Sequence, residues 1–257
     1  MKISSWYPVV SVLGLFIGSF LNVVAYRLPR GESVVLPPSN CPRCGARIRP
    51  RDLIPLVSWI QLRGRCRDCG GAISRRYPVV EGLTGLLWGL AAWRYGWSWE
   101  TVLGLVVISF LVALSAIDLE WKILPDVLTY SLAAVAFGAR LWIGPEPWWW
   151  YAGGAAFGAG VLLALYWLSP LLFGKEGMGL GDVKLMIGLG ALTGLAGAAL
   201  TLFVASLAGL VVGLALQGLD RLGKDHRIPF GPFLAGGALV SWLSGDALIH
   251  WYLGLFS

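Results

Sequence analysis

Eight apolar runs succeed one another along this chain, near residues 6–26, 79–95, 101–117, 127–143, 148–173, 183–195, 197–219 and 230–256. A lipid hydrocarbon core about 30 Å thick is crossed by about 20 helical residues. Within lipid every backbone N–H and C=O must find its partner inside the segment, which leaves a single apolar run only the helix. The runs therefore predict an all-α polytopic membrane protein with about eight transmembrane helices. Composition agrees: 57% of the 257 residues are hydrophobic and 13% charged, against about 25% charged in a soluble domain. The sixth and seventh runs are parted only by a weak break at Thr193 and Gly194. The first run is read as a retained helix, because its n-region holds only Lys2 and no A-x-A cleavage site follows. Glycines spaced four apart, at Gly14/Gly18, Gly154/Gly158, Gly190/Gly194 and Gly209/Gly213, suit helices that pack closely in lipid.

Basic residues orient these runs. Eleven arginines lie in 27–77, and Lys122, Lys175, Lys184, Arg221, Lys224 and Arg227 fall on the same side, leaving Lys2, Arg94 and Arg140 for the other. The positive-inside rule then puts the 27–77 loop in the cytoplasm and both termini outside. Trp97, Trp99 and the run Trp148, Trp149, Trp150 fall at the outer boundary, where amphipathic indoles settle. The net charge of +6 follows from topology and from contact with anionic inner-leaflet lipid, so it calls for no nucleic acid.

The chain is expected to divide into a first helix, 1–26, a small cytoplasmic insertion, 27–78, and a seven-helix membrane domain, 79–257. All four cysteines lie in the insertion, as CPRCG (Cys41, Cys44) and CRDCG (Cys66, Cys69). Two C-x2-C pairs at this separation predict two knuckles closing on one tetrahedral, structural zinc, and the glycine after each pair permits a tight turn. A disulfide is the competing use of the thiols, and a reducing cytoplasmic setting argues against it. Some 50 residues cannot bury a core of ordinary size, so the ion would supply much of the folding energy. Four sulfur ligands leave no open position for water, which makes a catalytic role the poorer one.

Charges near lipid need a reason, and GMGLGDVK places Asp182 at the mouth of an apolar run. A partner at similar depth lies in SAIDLEWKILPDVLT, where Asp118 closes the third run on the same side. Two carboxylates in contact cannot both ionise cheaply, so such a pair would share a proton, one member acting as base on a water and the other as acid. Gly179 and Gly181 would let the backbone approach the third run and carry Asp182 to Asp118. Glu120 and Asp126 compete within the same string. Asp126 suits an N-cap of the fourth run and Glu120 an interfacial, solvated position. The carboxylates are equally open to a proton pathway in a transporter, or to a scaffold that has no catalysis. There is no H-E-x-x-H, and the two histidines, His226 and His250, stand near no serine or cysteine nucleophile.

Taken in order, GSFLNVVAYRLPRGES, CPRCG, CRDCG, ISRRYPVVEGLTG, IDLEWKILPDVLT, GMGLGDVKLM and IPFGPFLAGG resemble the bifunctional type IV prepilin peptidases over nearly the whole chain. The resemblance implies catalytic aspartates at Asp118 and Asp182, the latter in the GxGD form. It also implies cleavage of the leader of type IV prepilins or type II secretion pseudopilins at the cytoplasmic face of the bacterial inner membrane. N-methylation of the new N-terminus, with S-adenosylmethionine as methyl donor, would follow. No glycine-rich nucleotide fingerprint marks where that donor binds, so no cofactor-binding residue is assigned; the N-terminal part with its insertion is the expected methyltransferase region. A basic leader would be repelled by the arginine-rich insertion, so Glu120, Asp126, Glu176, Asp220 or Asp225 are expected to meet it.

Overall fold

The computed structural model describes residues 6–173, 178–219 and 228–254. Its helices are α1 (Tyr7–Arg27), α2 (Val57–Gln61), α3 (Arg76–Tyr95), α4 (Trp99–Trp121), α5 (Asp126–Ile143), α6 (Trp148–Phe173), α7 (Leu180–Gly218) and α8 (Gly231–Gly254). Among the described residues there is no strand, only the isolated bridges Asn40 to Arg47 and Arg65 to Ala72. The all-α expectation therefore holds. Local signals set the helix ends: a proline in the first turn starts α1, and Gly96 stops α3 at φ +63°.

Among the described residues, α1, α4, α5, α6 and α7 supply five helices long and apolar enough to cross a membrane, which makes this a multi-pass membrane protein. The expected count of eight is not reached by that measure. Arg76, Glu81 and Arg94 lower the hydropathy of α3, whose 20 residues could otherwise span. The sixth and seventh runs are two helices that meet at a kink within α7, whose 39 residues are about twice the length a bilayer needs. Gly194 interrupts it at φ +70° and ψ −174°, where the sequence showed its weak break.

The chain forms two compact units, Met1–Ile117 and Asp118–Ser257. In the first, α1 and α3 run antiparallel along a tight seam. A Cβ on Gly18 would stand 2.7 Å from the Cα of Glu81, and one on Gly14 2.9 Å from that of Gly85, so only glycine allows this approach. One turn further, Asn22 Nδ2 donates to the carbonyl of Tyr77 at 3.2 Å and to that of Gly18 at 3.3 Å.

In the second unit α7 packs against α5, α6 and α8. Gly190 and Gly154 meet backbone to backbone. Gly209 and Gly213 differ, since a Cβ there would meet its neighbours at 3.5 and 3.4 Å, ordinary contact distances. Arg140, counted among the outer charges, stands in the last turn of α5. It is 7% exposed, and its Nε donates to the carbonyl of Leu192 at 2.8 Å. The break at Gly194 deprives carbonyls just before it of their helical partners, and the buried guanidinium meets that demand.

Candidate active site and cysteine cluster

Asp118 occupies the last turn of α4 and Asp182 the third position of α7, with 5% and 8% of their surface exposed. Both line one recess of about 260 Å³, together with Leu124, Asp126, Gly181 and Lys184. The Oδ2 of Asp118 accepts the backbone N–H of Gly231 at 2.9 Å. Gly231 opens α8, so the carboxylate faces a helix N-terminus, whose free N–H groups and dipole favour negative charge. A Cβ at position 231 would stand 2.7 Å from that oxygen.

The glycines of GLGD divide in their roles. A Cβ on Gly181 would press on Leu124 at 3.0 Å, whereas one on Gly179 would meet nothing closer than 3.8 Å. The close approach is thus made by Gly181 and falls on the loop after α4 rather than on the third run itself. Asp126 also departs from expectation. The capping position of α5 is Pro125, without a side-chain cap, and Asp126 is the first helical residue, its Oδ1 2.7 Å from Lys184 Nζ. Both partners are solvent-accessible, so the pair contributes about 0–1 kcal/mol. Glu120 is exposed and does not line the recess. His250 is exposed on α8; Glu176, Asp220, Asp225 and His226 lie outside the described residues.

The four cysteines come together in the first unit. Their sulfurs all lie within 4.8 Å of one another, and Cys41 and Cys69 Sγ are 4.0 Å apart. Tetrahedral zinc with Zn–S bonds near 2.3 Å calls for sulfurs about 3.8 Å apart. No disulfide joins them. The two pairs repeat one local geometry. Cys41 N–H donates to Ala46 at 2.9 Å and Gly45 N–H to Cys41 at 2.8 Å; Cys66 N–H donates to Gly71 at 2.8 Å and Gly70 N–H to Cys66 at 2.9 Å. Gly45 and Gly70 take φ +73° and +66°, the left-handed conformation that fits glycine. The Cys44 N–H lowers the Cys41 thiol to about 7. Cys44 is pushed up to about 11: the Ala46 N–H favours its thiolate, but burial and the neighbouring sulfurs outweigh it. Four sulfurs this close could hold a metal ion, which would displace the thiol protons, and the donor set fits a structural metal.

Part of the insertion's charge is spent internally. Arg67 grips Asp52 through two hydrogen bonds of 2.9 and 2.7 Å, which hold the Asp52 carboxyl below its ordinary range, and Arg49 stands 3.5 Å from Asp68. Arg27 is buried and donates to the carbonyls of Ser33 and Pro37. Sequence reasoning missed Gly231, whose contribution is a backbone N–H; its signal was Gly-Pro opening the last apolar run.

Residues 12–95 match the bacterial peptidase A24 N-terminal domain, and residues 105–214 match the type IV leader peptidase family. A prepilin leader peptidase/N-methyltransferase of Pseudomonas aeruginosa is 39% identical across 94% of this chain and 91% of its own length. Proteins of the same description are similar: that of Neisseria gonorrhoeae is 38% identical over 96% of this chain and 94% of itself, and that of Aeromonas hydrophila 40% over 98% and 95%. No solved structure matches.

Proposed function

Because this chain belongs to the type IV leader peptidase family, we propose that it cleaves prepilin or pseudopilin leaders at Asp118 and Asp182 and N-methylates the N-terminus so exposed. The observation that carries the reading is two buried carboxylates lining one recess large enough for a peptide bond and a water. One carboxylate accepts a proton from the water while the other gives one to the departing amine. The Gly231 N–H orients Asp118 for that exchange, and Gly181 lets Asp182 sit beside the Leu124 loop.

Cys41, Cys44, Cys66 and Cys69 would hold zinc in a closed, structural site that fixes the insertion rather than activating water. S-adenosylmethionine would serve as co-substrate for methylation, supplied with its methyl group already activated on sulfur. The recess opens on the cytoplasmic face of the inner membrane, where the basic insertion lies on anionic lipid. Nucleic acid has no part. A proton-coupled transporter gains no support from the three relatives described above, each named as a prepilin leader peptidase/N-methyltransferase.

The test is incubation of the purified, full-length protein with a prepilin and S-adenosylmethionine, reading the product's N-terminus by mass spectrometry. Loss of the leader and gain of one methyl group are expected. An intact prepilin after prolonged incubation with metal-replete protein would defeat the peptidase reading.

A further inference from the structure

Cleavage and methylation are separate reactions, and the aspartate recess serves the first. An α-amine is an ammonium near neutral pH and has no lone pair to offer, so methylation needs a proton acceptor beside it. Among the described residues of the first unit, two carboxylates are withdrawn from solvent: Glu81, 6% exposed, and Asp52, whose side chain is 8% exposed. Glu32 and Asp68 are exposed, Asp52 is engaged by Arg67, and Glu100 is partly exposed.

Glu81 sits on the seam of α1 and α3. Its Oε2 accepts the N–H of Leu56 at 2.8 Å, and the Ser19 hydroxyl is within reach of the same carboxylate. A carboxylate has about four lone-pair sites, so room remains for a further donor. Leu56 adopts φ +61°, a strained conformation for a branched side chain, to present that N–H.

A second acceptor lies on the same helix seam. Asn22 is 1% exposed, and both contacts of its Nδ2 are to backbone flanking Glu81: Gly18, packed on the Glu81 Cα, and Tyr77, one turn before it. These contacts fix the amide and leave its Oδ1 buried without a partner. Such an orphan acceptor costs about 1–3 kcal/mol unless a ligand supplies the donor. A carboxylate and a carbonyl oxygen together suit a primary ammonium.

The geometry points to Glu81 as the proton acceptor for N-methylation of the newly exposed N-terminal amine, with the Asn22 Oδ1 holding that amine; this rests on the proposed function. The ammonium passes a proton to the Glu81 carboxylate. Its freed nitrogen lone pair attacks the methyl carbon of the sulfonium donor, and the carbon–sulfur bond breaks with its electron pair left on sulfur. The products are a neutral thioether and a secondary ammonium, and the Glu81 proton passes to water.

Glu81→Gln keeps an oxygen for the Leu56 N–H but cannot take a proton. With purified full-length protein, prepilin and S-adenosylmethionine at neutral pH, this variant should cleave at the wild-type rate and methylate about 10²–10⁴-fold more slowly. Methylation should recover as pH rises past about 8, where the amine loses its proton unaided. Asn22→Ala should weaken binding of a leaderless peptide, measured by fluorescence anisotropy without methyl donor. Wild-type methylation by Glu81→Gln, or loss of both activities at every pH, would overturn the assignment, the second result marking Glu81 as a tether for Leu56. A wild-type protein that cleaves without methylating would instead refute the methyltransferase reading on which the proposal stands.

Discussion

In the insertion, each knuckle is closed by hydrogen bonds between residues at most nine apart in sequence, as in Cys41 to Ala46 and Ile73 to Gly64. In the second unit, Asp118 reaches its backbone donor 113 residues away, and Gly154 meets Gly190 across two helices. The first arrangement is written in short motifs, whose four sulfurs are placed to share one cation. The second depends on helices packing at the right depth, with no single motif responsible. Damage to one should therefore leave the other largely intact.

The largest expected effect is on the bundle's chemistry. Asp118→Asn or Asp182→Asn keeps size but removes a proton acceptor, so each should slow prepilin cleavage by about 10²–10⁴-fold or more while cysteine-bound metal stays at the wild-type level. The double variant should cost little beyond either single one, because the pair acts as a unit. Cleavage by purified protein at matched abundance decides it; near-normal turnover in Asp182→Asn would remove that residue from the reaction.

The converse break is Cys41→Ser or Cys69→Ser. Metal content, expected at about one zinc per chain, should fall, and 27–77 should become sensitive to protease, since binding and folding are coupled there. Elemental analysis and limited proteolysis read both. Cleavage should suffer less than in the aspartate variants, and methylation at least as much as cleavage. Full metal occupancy in Cys69→Ser would show that four sulfurs are not required.

Asp126→Asn sharpens the comparison at its small end. It removes an accessible ion pair with Lys184, so thermal stability should change by about 0–1 kcal/mol and cleavage by a few-fold at most. A loss equal to that in Asp118→Asn would make Asp126 the partner of Asp182.

How far the sequence could be read follows the same division. Cys41, Cys44, Cys66 and Cys69 were legible because ligand chemistry is carried by residue type and spacing, and the sulfurs do converge. Asp118 and Asp182 stood out because a carboxylate beside apolar runs needs a reason, and both line one recess. The Gly194 break was visible because glycine is the residue that takes a positive φ, and two helices do meet there. Gly231 acts through its backbone, and Arg140 answers a carbonyl freed by a break elsewhere in the fold. Neither side chain, nor its neighbours in sequence, encodes such a partner. Asp126 misled because a turn aspartate before an apolar run is usually a cap, while here Lys184 competes for it.

The bond from Gly231 to Asp118 also bears on the order in which the protein is made. A ribosome adds about 5–20 residues per second, N-terminus first, so the donor follows its acceptor by roughly 6–23 s. During that interval Asp118 is already committed to the membrane with its helix but lacks the N–H that orients it. If Asp118 carries the proposed chemistry, an unfinished chain is a protease whose carboxylate has not been set, and α8, on arrival, arms it. On that assignment a nascent chain stalled before residue 231 would stay idle beside its substrates, and cleavage would be confined to molecules whose synthesis has run through α8.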